Sequence, residues 1–167
     1  KCWKCEDGGL YLYKRGYKGD TQSRVEVEVS NILDKCSVIH IGYEKAVDKG
    51  VYCCKCKCMT DQRLSMLHAD DFMSYCILGG LDWYKVALSI DSDSIYKMFI
   101  VDYLVSNSDR HNLNWGFWYD CDTMEILSCH PLYDHNNAFD EKIMKNENAK
   151  SLVLDGATMR TLALDAM

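Results

Sequence analysis

Alternating hydrophobic and polar positions predict a small sheet in the first third of the chain. Residues 10–14 (LYLYK) alternate and follow Gly8-Gly9, which suits a turn into a strand. Residues 43–47 and 51–58 are joined by Asp48-Lys49-Gly50, and this combination predicts a hairpin. Between the strands, one helix is predicted by apolar residues at helical spacing, namely Val25, Val29, Ile32 and Leu33.

From Thr60 onward the pattern changes to that of helices. A helix over residues 70–78 would end at Gly79-Gly80, which is a natural C-terminal stop. Two further helices are predicted over residues 81–88 and 95–105. Because the last of these is apolar on most sides, we expect it to be buried.

Strands return after the helices. Residues 120–123 supply a turn and residues 125–129 a return strand, and the final stretch, 158–167, predicts the start of another helix. The strand before that turn shows alternating large aromatic residues, namely Trp115, Phe117 and Tyr119.

Composition narrows the class of protein. The chain has 167 residues, of which 48% are hydrophobic and 26% charged, as in a globular protein of one compact domain or two small lobes sharing a cleft. Its net charge of −6 gives no reason to expect direct binding to nucleic acid or to an anionic membrane. The most apolar stretch, interrupted by Lys97 and Asp102, is too short to span a bilayer. The chain starts at Lys1 without an initiator Met, which leaves open that it is a fragment.

Ten cysteines are many for this length. Cys2 and Cys5 form a C-x-x-C pair, but nearly fifty residues separate it from the cluster at residues 53–58, unlike a compact zinc ribbon. Cys54, Cys56 and Cys58 alternate with lysines, as small core residues on one strand face would. We therefore expect reduced, buried thiols in a cytoplasmic protein, with a small zinc-binding protein as the alternative.

A polar loop carries the strongest functional signal. Asp109 and Asn114 lie five residues apart in the sequence SNSDRHNLNWGFWYD, and Asp134 follows the predicted aromatic hairpin in HPLYD. Each residue alone could be a turn or cap residue. Together they provide the groups that phosphoryl transfer from ATP requires, since one carboxylate can orient the attacking hydroxyl while an amide and a second carboxylate bind Mg²⁺.

These residues resemble the HipA-like serine/threonine kinases, and the Asp-Arg-His-Asn-x-Asn core is also similar to phosphoinositide 3-kinases. The resemblance covers most of the chain. It implies an α+β, bilobal protein-kinase-like fold, with an N-lobe of a small sheet and one helix over residues 1–58 and a mainly helical C-lobe over residues 59–167. Because the chain ends at Met167, before the family's C-lobe would end, the resemblance leaves open a truncated C-lobe.

The resemblance also implies roles for single residues. Asp109 would be the catalytic base, and Asn114 and Asp134 would ligate Mg²⁺ between the phosphates of ATP. Mg²⁺ prefers such oxygen ligands.

The N-terminal part of the match concerns a lysine and its partner. Lys14 would contact the α- and β-phosphates, and Glu28 would pair with it from the first helix, with Glu26 as the competing partner because the helix phase is uncertain by two residues. Only Gly8-Gly9 precedes this lysine strand, whereas the family pattern includes a glycine-rich loop.

For several neighbouring side chains the sequence allows more than one role. By analogy with the phosphoinositide 3-kinases, His111 is a second candidate for proton transfer, and the alternative is that it organises the loop. Arg110 is expected to pair with a nearby carboxylate. His130 and His135 flank Asp134 and could form a transition-metal site, although Mg²⁺ already explains the pattern.

Three hypotheses of function follow. The first is an ATP- and Mg²⁺-dependent kinase that transfers the γ-phosphate to a protein hydroxyl. The others are a degenerate kinase fold that binds nucleotide or a partner without turnover, and the zinc protein. For the family, the resemblance implies antitoxin or other regulatory partners in some members.

Overall fold

In this computed structural model, the described residues are 1–16, 19–140 and 159–167. The first part is an antiparallel sheet of four strands, β1 (Cys2–Glu6), β2 (Gly9–Lys14), β3 (Glu44–Asp48) and β4 (Val51–Lys57). The strand order is β1-β2-β4-β3, and helix α1 (Thr21–Lys35) packs against the sheet. The predicted strands, helix and hairpin of this region are confirmed, and β1, whose C-x-x-C we interpreted chemically, is an additional strand.

Two short turns close the hairpins of this sheet. Asp7 and Gly8 between β1 and β2 have φ of 47° and 76°, and Lys49 and Gly50 between β3 and β4 have φ of 51° and 76°. Two consecutive residues in the left-handed region match the twist of the flanking strands, and glycine adopts that region without steric cost. The turn chemistry therefore sets the register of both hairpins.

The second part combines helices with a three-stranded antiparallel sheet. Its elements are β5 (Leu64–His68), α2 (Ala69–Leu78), α3 (Trp83–Leu104), β6 (Gly116–Asp120), β7 (Ile126–Cys129) and α4 (Met159–Ala166). The strand order is β5-β6-β7. The strand β5, which pairs with β6, lies in the region where the sequence pattern predicted helices alone.

Helix α3 spans both of the helices predicted over residues 81–105. Asp91 interrupts it with φ −159° and ψ 77°. The Asp91 carboxylate accepts hydrogen bonds from the backbone N–H of Ser94 at 3.1 Å and of Cys129 at 3.1 Å. The side chain thus caps the second half of the helix and fixes it to β7, which is why the helical pattern splits here.

The main core lies between α2, α3 and β6. Phe72 and Phe117 are fully buried, with ring centroids 4.5 Å apart, and each such side chain contributes roughly 1.5–3 kcal/mol by leaving water. Ile95 and Met98 on α3 are buried as expected, whereas Leu104 at its end is exposed. No helix within the described residues is long and apolar enough to cross a membrane.

The cysteines separate into buried and exposed groups. Cys54 and Cys56 are buried in a cluster with Val27 of α1 and with Tyr43, as their alternation predicted, while Cys58 follows the end of the strand and is partly exposed. Burial raises the pKa of Cys54 to about 12 and that of Cys56 to about 11. Cys2 and Cys5 are exposed on β1, and the described residues contain no group of three or more His, Cys, Asp or Glu side chains placed to hold a metal.

Candidate active site

The centre of the candidate site is a buried lysine with two carboxylates. Lys14, the last residue of β2, is only 5% exposed, and its Nζ donates to Glu26 Oε2 at 2.8 Å and to Asp134 Oδ1 at 2.6 Å. Burial acts to lower the pKa of Lys14, but the charges of Glu26 and Asp134 outweigh it and raise the pKa above its usual value. Lys14 is therefore a fixed positive charge where β2, α1 and the segment after β7 meet.

Glu26, and not Glu28, is the helix partner of Lys14. Glu26 is 1% exposed and its second oxygen accepts a hydrogen bond from the backbone N–H of His135 at 3.0 Å. The prediction for Glu28 is wrong, because Glu28 is exposed on the solvent side of α1. Two residues turn a helix by roughly 200°, so only one of these glutamates can face the sheet. Burial raises the pKa of Glu26, and Lys14 opposes that shift.

Asp134 lies on a short segment that follows β7. Its φ is 59°, in the left-handed region that Asp tolerates better than most residues. Oδ1 accepts from Lys14 and from Asn136 Nδ2 at 2.9 Å. Burial acts to raise the pKa of Asp134, but the Lys14 charge prevails and lowers it. The adjacent Lys14 cation thus keeps the Asp134 carboxylate ionised. The second carboxylate oxygen, Oδ2, takes no part in these two hydrogen bonds.

Asp109 and Asn114 lie close together in the loop between α3 and β6. Asn114 Nδ2 donates to the backbone carbonyl of Asp109 at 2.8 Å, and the Asn114 side chain is largely buried. The amide nitrogen of Asn114 is a donor and its oxygen an acceptor, so the oxygen is the atom suited to a cation. Asp109 Oδ2 accepts from Asn137 Nδ2 at 2.8 Å. The five-residue spacing therefore places one carboxylate and one amide on a single compact loop.

Arg110 joins this loop to the rest of the site. Its guanidinium, 1% exposed, binds both oxygens of Asp102 on α3, at 2.8 and 3.0 Å. The remaining N–H groups donate to the backbone carbonyls of Asn114 and Tyr133, the latter at 2.8 Å, and to His135 Nε2 at 2.9 Å. The expected carboxylate partner is confirmed. One planar side chain therefore fixes the Asp109 loop against the Asp134 segment.

The three histidines near these residues make different contacts. His111 is exposed, and its Nδ1 accepts from the backbone N–H of Leu113 at 3.2 Å, a contact that organises the loop. His135 accepts from the Arg110 guanidinium, and burial together with that charge holds its pKa well below the usual value. The His130 ring lies against the Trp118 ring, with the centroids 4.3 Å apart and the planes tilted by 45°, and burial lowers the pKa of His130 to about 4. Both buried rings are thus neutral parts of the packing.

The donor set suits Mg²⁺ with a polyphosphate. Asp134 and Asn114 offer carboxylate and amide oxygens, and Mg²⁺ usually takes one or two such protein ligands while phosphates and water complete its shell. Lys14 adds a compact positive charge of the kind that contacts phosphate. The structure therefore brings together Lys14, Glu26 and Asp134 by direct contact, and places Asp109 and Asn114 on one loop that Arg110 joins to them.

Two hydrogen bonds of the candidate site are not among those predicted from the sequence. Asn136 and Asn137 follow Asp134 by two and three residues and bind Asp134 and Asp109 respectively. The consecutive amides directly after the acid were the signal available in the sequence.

Comparison with known proteins identifies the architecture. No protein-family model and no curated protein matches the sequence. The structure is similar to the crystal structure of the Helicobacter pylori proinflammatory kinase CtkA, with a TM-score of 0.74 and 18% sequence identity over 98% of this chain and 74% of that chain. At this identity the likeness shows the fold alone. Membership of the HipA-like family and the boundary at residue 58 stay predictions. The predicted fold class is confirmed: the chain adopts an α+β, bilobal kinase-like fold.

Proposed function

We propose that this protein is an ATP- and Mg²⁺-dependent phosphotransferase that transfers the γ-phosphate of ATP to a protein hydroxyl. The observation that carries the proposal is the convergence of Lys14, Glu26 and Asp134 by direct ion pairs. Buried charges are costly unless they are paired, and sites that bind charged ligands are where such clusters concentrate.

Nucleotide would be held by residues from both parts of the fold. Lys14 contacts the α- and β-phosphates, and Glu26 keeps its ammonium group in place at 2.8 Å. Asn114 and Asp134 would supply oxygen ligands to Mg²⁺. Bound Mg²⁺ would neutralise phosphate charge and orient the phosphates for in-line displacement.

Asp109 acts on the acceptor. Its carboxylate accepts a hydrogen bond from the incoming hydroxyl and takes the proton as the new bond from oxygen to the γ-phosphorus forms. The bond from the γ-phosphorus to the bridging oxygen breaks, and ADP leaves with that electron pair. The hydrogen bond from Asn137 to Asp109 Oδ2 leaves Oδ1 for the acceptor.

The proposed acceptor specificity and partner come from the resemblance of the sequence to the HipA-like kinases. The loop from Ser108 to Asn114 favours a HipA-like serine/threonine protein kinase, with a regulatory or antitoxin partner as in some members of that family. The ten cysteines are free thiols in the described residues, which suits a reducing compartment, and we therefore propose that the protein is cytoplasmic.

Calorimetric titration with ATP, with and without Mg²⁺, tests the proposal. We expect the parent protein to bind ATP more tightly with Mg²⁺, and Asp134→Asn to lose most of that gain while retaining its fold by circular dichroism. Asp122→Asn, at an exposed turn position, is the matched control and should bind like the parent. Equal Mg·ATP affinity in Asp134→Asn and the parent would overturn the assignment. Binding without phosphate transfer to any protein acceptor would favour the non-catalytic module instead.

A further inference from the structure

Two consecutive asparagines after Asp134 contact different acids of the candidate site. We infer that Asn137 is a positioning residue for the base Asp109, and that Asn136 supplies a further oxygen for the cation beside Asp134. The inference deepens the proposed function and rests on it.

Asn137 connects three parts of the chain. Its Nδ2 donates to Asp109 Oδ2 at 2.8 Å, its Oδ1 accepts from Gln22 Nε2 at 3.2 Å, and its backbone carbonyl accepts from Ser108 Oγ at 3.5 Å. The amide therefore joins the first turn of α1 to the loop that carries the base.

The direction of the hydrogen bond matters for the base. An N–H donor on one carboxylate oxygen fixes the rotation of the Asp109 carboxylate and directs the other oxygen to an acceptor hydroxyl. A base misplaced by even about 1 Å transfers protons much less efficiently. The Asn137 amide therefore acts on the chemical step, since it touches neither Lys14 nor Asp134 among the contacts of the described residues.

Asn136 is bound on one side only. Its Nδ2 donates to Asp134 Oδ1 at 2.9 Å, whereas its Oδ1 is buried and accepts no hydrogen bond within the described part of the chain. A buried acceptor without a partner is unusual and indicates a missing donor, water or ion. Nδ2 and Oδ1 share one carbon atom, so this acceptor lies beside the carboxylate that is the proposed Mg²⁺ ligand. An amide oxygen is a ligand type that Mg²⁺ accepts.

Two substitutions at Asn137 separate positioning from space filling. Asn137→Asp keeps the shape but replaces the donor with a like charge facing Asp109, whereas Asn137→Ala removes the side chain. We expect kcat to fall by about tenfold in Asn137→Ala and by about a hundredfold in Asn137→Asp, with the Kd for Mg·ATP unchanged in both. A space-filling role predicts the opposite order, with Asn137→Asp closer to the parent.

Asn136 is tested by metal affinity rather than by turnover. Mn²⁺, used as a paramagnetic probe in the presence of ATP, should bind about tenfold more weakly to Asn136→Ala than to the parent. Asn136→Asp restores an oxygen at this position and should recover the affinity. Thermal unfolding of each variant without ligand measures any loss of fold separately.

The outcomes distinguish this inference from the proposed function. If the parent binds Mg·ATP and transfers phosphate but the Asn137 variants keep its kcat, the role of Asn137 is overturned and the function stands. Unchanged Mn²⁺ affinity in Asn136→Ala overturns the role of Asn136. A parent that binds Mg·ATP without transfer overturns the role of Asn137, because no base then needs positioning. A parent that does neither overturns the proposed function and the inference with it.

Discussion

Two arginine–aspartate pairs in this protein have the same chemistry and different surroundings. Arg110 and Asp102 have side chains 0% and 4% exposed, and the arginine also binds the backbone carbonyls of Asn114 in its own loop and of Tyr133 in the segment after β7. Arg24 and Asp20 are 60% and 44% exposed and lie four residues apart at the start of α1. A charged pair has structural consequences where it is desolvated and joins distant segments, since exposed pairs are screened by water and salt.

We expect the largest effect from a substitution that breaks the buried pair of Arg110 and Asp102. Arg110→Met leaves Asp102 buried without its partner and removes the link between the Asp109 loop and Tyr133. We expect unfolding free energy to drop by about 3–5 kcal/mol, as for other buried pairs that lose one member. Urea denaturation measures this. Arg24→Met is the matched control at the exposed pair, and an equal loss in both variants would show that burial does not distinguish them.

The next effect concerns chemistry rather than stability. Asp109→Asn should bind Mg·ATP about as well as the parent but lose phosphate transfer by roughly a hundredfold or more, because in the proposed mechanism Asp109 acts on the acceptor and not on the triphosphate. Calorimetry measures the Mg·ATP affinity, and single-turnover kinetics measures the rate of phosphate transfer. His111→Ala is the companion variant. Full activity in Asp109→Asn with loss in His111→Ala would make His111 the base.

We expect a smaller effect, on ATP affinity, from substitution of one of two glutamates on α1. Glu26→Gln weakens the hold on Lys14, whereas Glu28→Gln changes an exposed side chain of the same type. We expect ATP affinity to fall about tenfold in Glu26→Gln, by analogy with the loss of outer partners at ligand sites, and to stay at the parent value in Glu28→Gln. Equal affinities in the two variants would remove Glu26 from the site.

The smallest effect is one of reactivity among the cysteines. Cys2 and Cys5 are exposed, whereas burial raises the pKa of Cys54 to about 12 and of Cys56 to about 11. The thiolate is the reactive form, so near pH 8 the exposed pair should react quickly with a thiol reagent and the buried pair only on unfolding. Mass spectrometry of the labelled peptides measures the rates. Fast labelling of Cys54 in folded protein would contradict the burial, and stoichiometric zinc in protein purified without added metal would contradict free thiols.

Part of the candidate site could be predicted from local sequence. Asp109 and Asn114 share one loop, so their spacing alone indicated that they act together. Asp134 is predicted as a member of the site because it follows the aromatic hairpin. The partner of Arg110 could be predicted as a carboxylate but not as Asp102, which lies on the preceding helix and meets Arg110 only after the loop turns back.

Local sequence patterns predict the hairpins, most helices and the shared loop of Asp109 and Asn114, because alternation, helical spacing and turn residues are short-range signals. It could not determine which of Glu26 and Glu28 faces Lys14, since helix phase depends on how α1 packs on the sheet. Nor could it reveal β5, whose pairing with β6 spans a long stretch of chain. Only the tertiary structure placed Asn137 on Asp109 and Asp134 on Lys14, because those contacts require the segment after β7 to lie between the two parts of the fold.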